Sequence, residues 1–111
     1  MVNIVNLTPH EIVIRTEDGD LAIPPSGQVA RVAVKQVEIE CPGLPVHVAR
    51  NEYGEVEGLP EPKDGTIYVV SSLVLSRVHG RIDVFAPDTG PTAIRDEAGR
   101  IVAVRRLVAA D

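Results

Sequence analysis

Proline and glycine punctuate this chain about every ten residues, and that spacing leaves room only for short elements between turns. The breaks fall at Leu7-Thr8-Pro9-His10, Asp18-Gly19, Pro24-Pro25-Ser26-Gly27, Cys41-Pro42-Gly43-Leu44-Pro45, Leu59-Pro60-Glu61-Pro62-Lys63-Asp64-Gly65, Pro87 to Pro91 and Asp96-Glu97-Ala98-Gly99. Between them the chain is rich in Val and Ile, which together fill 27 of the 111 positions. Their branched side chains are stiff at χ1 and pack well on a pleated surface, so the intervening segments are predicted as strands.

The segments place themselves by alternation. Val2 to Asn6 and Glu11 to Arg15 read as strands, with Leu21 to Ile23 completing a hairpin across Asp18-Gly19. Gln28 to Val37 is a long strand, and Val46 to Arg50 a shorter one. Tyr53 to Gly58 reads as a further short strand with a glycine bend, and Thr66 to Val70 as the most apolar and most buried. Ile82 to Ala86 follows, then a hairpin from Ala93 to Arg95 and Gly99 to Val108. Ser71 to Val78 is the one helix candidate, with Ser71 or Ser72 as N-cap, Arg77 near the C-terminal end of the dipole and Gly80 at the left-handed exit. Val74 and Val78 weaken it. The predicted fold is mainly β: a small sandwich or barrel of about eight short antiparallel strands with one short helix at about 71–79, all in a single domain over 1–111.

Charge narrows the partners. The formal net charge is −5. Residues 1–76 hold five Lys/Arg against eleven Asp/Glu, and residues 77–111 hold six against five. A net acidic body disfavours non-specific nucleic-acid binding, which depends on cations that displace counterions. Two Tyr, one Phe and no Trp are also too few for the stacking platforms of single-strand or RNA binders. No apolar run approaches the roughly 20 residues that cross a bilayer as a helix, so no membrane role is expected. One cysteine excludes an internal disulfide. The opening Met-Val-Asn-Ile-Val-Asn lacks a basic region followed by an apolar stretch, and a cytoplasmic location is expected.

Catalytic motifs are missing. There is no Gly-x-Ser-x-Gly elbow, Walker A loop or Rossmann fingerprint. Cys41 and His47 lie six residues apart without Cys-x-x-Cys or His-Glu-x-x-His spacing, so neither a metal nor another cofactor is expected. Glu55 and Glu57 would share one strand face, where a solvated acidic edge is a better reading than a glycosidase pair. The chain is therefore read as a non-enzyme.

Two polar groups remain as ligand-binding candidates. Asn6, Thr8 and His10 can converge from one loop, although Asn and Thr also satisfy their own backbone in such turns. Ser71, Ser72, Arg77 and Arg81 gather around the presumed helix start, where free N–H groups and guanidinium forks suit a small anion.

Four phrases, Asn6-Leu7-Thr8-Pro9-His10, Ile23-Pro24-Pro25-Ser26-Gly27, Tyr53-Gly54-Glu55-Val56-Glu57-Gly58-Leu59-Pro60 and Gly65-Thr66-Ile67-Tyr68-Val69-Val70-Ser71, run through nearly the whole chain. Together they resemble a family of small proteins encoded by bacteriophages and prophages. The resemblance implies a phage context and carries no particular activity with it; proteins of this kind are often virion parts, regulators or inhibitors of host defence. Two expectations follow. One is a non-catalytic, homo-oligomeric binding protein that sequesters a small anionic or nucleotide signalling ligand of antiviral defence. The other is a virion accessory or structural protein, or an inhibitor that contacts a host protein through the acidic stretch from Glu52 to Asp64.

Overall fold

The computed structural model describes residues 2–110, and its elements fall between the proline and glycine breaks. β1 (Asn3–Asn6) stops at the Thr8-Pro9 turn. β2 (Ile12–Thr16) and β3 (Gly19–Ile23) pair as the expected hairpin, with Arg15 opposite Asp20. β4 (Arg31–Ile39) and β5 (Val48–Glu57) form a second, longer hairpin. β6 (Thr66–Val69), α1 (Ser72–Leu75) and β7 (Val84–Pro87) follow, and then β8 (Ile94–Arg95), β9 (Ile101–Ala103) and β10 (Leu107–Ala109). The protein is mainly β, with ten short strands and one short helix among the described residues.

The strands form one sheet of four, in the order β1-β6-β7-β10, and three two-stranded ribbons; no closed barrel forms among the described residues. Pairing departs from the antiparallel expectation at the centre of the sheet. β1 runs parallel to β6, and β6 parallel to β7. Even turn spacing suggested hairpins throughout, but β6, α1 and β7 are consecutive and make a strand–helix–strand crossover, the connection parallel neighbours need.

β6 lies between two cores. Tyr68 and Val70 face a cluster with Leu7, Val74, Leu75, Val78 and Val84, while Val69 faces the β2–β3 hairpin through Ile12 and Ile23. Burial on both faces is why this segment reads as an unbroken apolar run instead of an alternating one.

The helix is shorter than expected. Ser71 is its N-cap and accepts from the Val74 N–H at 3.3 Å, but the α-turns end at Leu75. Beyond it the chain tightens: Arg77 N donates to Val74 O at 3.0 Å and Val78 N to Leu75 O at 3.1 Å, both three residues back. Arg77 therefore lies past the last turn and is not a dipole partner, and Gly80, with φ +73°, lies beyond this later turn and does not end α1 itself. β-branched Val74 and Val78 and the lack of charges suited to either helix end account for the early stop.

The β4–β5 ribbon departs most from a compact shape. Tyr53 to Gly58, expected as a separate short strand, instead continues β5 as far as Glu57 through an irregularity opposite Ala33, so β5 is ten residues long. Val32 and Val56 pack onto the core at the root of the ribbon, and beyond them nearly every side chain is exposed. The molecule measures 57 × 39 × 25 Å, with a radius of gyration of 17.0 Å against about 13 Å for a compact chain of this length. At the ribbon root Gly58 has φ +82°, and a Cβ there would lie 2.7 Å from the Val29 carbonyl oxygen. Only glycine fits this crossing without displacement.

Candidate functional site

The Asn6–His10 loop is a closed hydrogen-bond network. Asn6 is 1% exposed at the end of β1. Its Nδ2 donates to the carbonyls of His10 at 2.8 Å and Ile23 at 3.0 Å. Its Oδ1 accepts from the Thr8 backbone N–H at 2.9 Å and the Thr8 hydroxyl at 2.7 Å. Ser26 closes the other side, donating from both N and Oγ to the Asn6 carbonyl at 3.0 and 2.7 Å. Asn6 and Thr8 thus satisfy the backbone of an Asx-type turn. Among the three candidates of this loop, His10 alone is exposed.

The second group is divided between two neighbours. Ser71 caps α1, and Ser72 lies on the helix surface. Arg77 reaches over the Tyr53 ring, with its guanidinium carbon 4.8 Å from the ring centroid, and so ties the helix exit to the ribbon. Arg81, offered from sequence as a donor to a small anion, has a side chain only 19% exposed. Its Nε and Nη2 grip the Asp83 carboxylate at 2.8 and 2.9 Å, and Nη2 also donates to the Pro60 carbonyl at 3.0 Å. The loop group is tied to Ile23 and Ser26, whereas the arginines are tied to Tyr53, Pro60 and Asp83.

Sequence reasoning missed Asp83 and Tyr53, and only Asp83 left a signal: Arg81-Ile82-Asp83 in an extended segment puts both charges on one side. Asp88 was missed as well. Its carboxylate accepts from the Gly90 N–H at 3.0 Å and from Arg106 Nε.

A cavity of about 280 Å³ lies between α1 and the end of β7, lined by Ser72, Leu75, Ser76, Pro87, Asp88 and Thr89. It has hydroxyls and a carboxylate on its walls and no arginine. No group of three or more His, Cys, Asp or Glu side chains fit to hold a metal ion occurs among the described residues.

The carboxylates carry a pH signature. Hydrogen bonds from Arg81 hold Asp83 below the usual aspartate range, against the opposing effect of burial. Arg106 does the same for Asp88. A depressed folded-state pKa contributes stability that is present above the unfolded value, about 3.9, and is lost as pH falls through the folded value. Thermal melts should therefore fall steeply below about pH 4. Asp83→Asn should lower the melting temperature at neutral pH yet flatten the acid decline, and an unchanged slope would show that Asp83 does not contribute to it.

Compared with protein-family models, curated proteins and solved structures, the chain matches none.

Proposed function

We propose that this chain is a non-catalytic protein that works by surface contact, as a virion accessory or structural component or as an inhibitor docked on a host protein. The observation that carries the reading is the β4–β5 ribbon, which projects from the body with both faces in solvent. A two-stranded ribbon is at best marginally stable alone in water, so a long projecting one is suited to gain a partner. The acidic stretch that the second expectation offers as a contact surface begins on this ribbon. Glu52, Glu55, Glu57, Glu61 and Asp64 are all exposed, a surface complementary to a basic protein face.

The competing reading, sequestration of a small anionic or nucleotide ligand, needs cationic donors at one place. Arg81 is already gripped by Asp83, and Arg77 lies over Tyr53. Calorimetry against cyclic and ADP-ribose-type nucleotides separates the two, with no binding heat expected. Arg81→Ala is expected to cost about 2 kcal/mol of stability, since it strands a mostly buried carboxylate. Arg77→Ala should cost under about 1 kcal/mol. Nucleotide binding that the double change R77A/R81A weakens would replace the contact reading. Recovery of the chain in purified particles, or with one host protein and dependent on the Glu52–Asp64 carboxylates, is the supporting result.

A further inference from the structure

The free edge of β5 has a charge pattern that is self-complementary about a two-fold axis. Lys35 faces Glu52 and Val37 faces Arg50 across the ribbon, which puts these four on one face. Val34 and Tyr53, with Gln36 and Asn51, occupy the other, where Gln36 Nε2 donates to Asn51 Oδ1 at 3.2 Å. β5 pairs with β4 alone among the described strands, and 49–55 are exposed throughout. No ion pair joins Arg50 or Glu52 to another described residue.

Antiparallel strands set opposing residues on the same face, so a strand paired with its own copy about a two-fold matches only positions an even number apart. Centred on Asn51, this register sets Arg50 opposite Glu52 of the second copy and Glu52 opposite its Arg50. Each face then continues across four strands. One carries Lys35, Glu52, then Arg50 and Val37 of the second copy; the other carries Gln36, Asn51, then Asn51 and Gln36 of the second copy. Tyr53 falls opposite Ala49, and Gly54 opposite Val48, so no bulky pair collides. The outer edge of β4 has no such register. Its basic residues, Arg31 and Lys35, are at odd positions and its Glu38 at an even one, so no two-fold pairing brings opposite charges together.

We propose that the protein dimerises by joining β5 to β5 about a two-fold at Asn51, making a four-stranded sheet from two marginal ribbons. This rests on the contact reading and names one partner of the ribbon, a second copy of the chain; the edge supplies main-chain hydrogen bonds and the Arg50–Glu52 pairs fix the register.

Sedimentation equilibrium of the full chain tests it. The wild type is expected at about twice 11.9 kDa. E52R or R50E alone sets like charges opposite each other twice and should raise the dimer dissociation constant at least about tenfold. The exchange R50E/E52R should restore it. In a Cys41→Ser background, Asn51→Cys should oxidise to a covalent dimer, because residues on an antiparallel two-fold have Cα atoms about 4.5–5.5 Å apart, within disulfide reach. These side chains are exposed, so each variant should still fold and melt cooperatively. A dimer indifferent to both single reversals, or one that the exchange does not restore, overturns the pairing. A monomeric wild type that still binds another protein through the ribbon overturns self-pairing and leaves the contact reading standing. A monomer without any such partner overturns both.

Discussion

Asn6→Asp is expected to leave the protein insoluble or unfolded at room temperature, although it changes one amide to an acid of the same shape. Nδ2 donates to two carbonyls, those of His10 and Ile23, and an aspartate oxygen there faces both as a like-charged acceptor. Losing these two bonds, one buried and one partly buried, costs about 1–3 kcal/mol each, and a carboxylate buried to this degree adds several more. The sum reaches the roughly 5–15 kcal/mol that holds a typical domain together. Asn6→Ala should be milder, about 3 kcal/mol, because it removes the amide's hydrogen bonds with His10, Ile23 and Thr8 without adding a charge. Thr8→Val, which keeps the backbone bond to Asn6 and loses the hydroxyl, should cost about 1–2 kcal/mol. Denaturant melts of the three, in the order Asp, Ala, Val from worst to mildest, would establish Asn6 as the keystone of the loop. An Asn6→Asp protein with near wild-type stability would refute that role.

The same network shows what the four sequence phrases hold in place. Asn6 and Ser26, from two of them, are joined by two hydrogen bonds. Gly58, from the third, is the residue that fits beneath the Val29 carbonyl, and Pro60 beside it accepts from Arg81. Tyr68, from the fourth, donates to the Glu61 carbonyl at 3.3 Å. These residues hold the framework of the fold.

Distance along the chain decides what was legible in the sequence. Turn chemistry is local, so the β2–β3 hairpin at Asp18-Gly19 and the Ser71 cap could be placed from a few adjacent residues. The parallel pairing of β1 with β6 could not, because Asn3 meets Thr66 across most of the chain and no local pattern records it. The fate of Arg81 was misjudged for a related reason. A charged residue in a polar stretch reads as solvated, and only the fold shows the Pro60 carbonyl arriving to bury it. The ribbon was half-legible: alternation marked β4, but Val46 to Arg50 and Tyr53 to Gly58 read as two strands where β5 absorbs an irregularity and runs on as one.

The two faces of β6 give the second large effect. Val69 and Val70 are both fully buried, yet they point into different clusters, Val69 toward Ile12 and Ile23 and Val70 toward Leu7, Val74 and Val84. β1 and β7 flank the strand on either side, so a side chain from it has no path to water. Val69→Asp and Val70→Asp should therefore each abolish soluble expression, since an unpaired carboxylate in either core costs several kcal/mol. Graded versions keep the idea measurable: Val69→Ala and Val70→Ala should each cost about 2 kcal/mol, a transfer loss plus a cavity. Because they empty separate clusters, the double Ala variant should lose close to the sum. Val108 supplies the contrast, being 42% exposed on the edge strand β10, and Val108→Asp should change stability by less than about 0.5 kcal/mol. Soluble, cooperatively melting Asp variants at 69 and 70 would mean that β6 is not central. Tolerance at 69 alone would place the β2–β3 hairpin outside the cooperative unit, leaving the helix-side cluster to hold the fold.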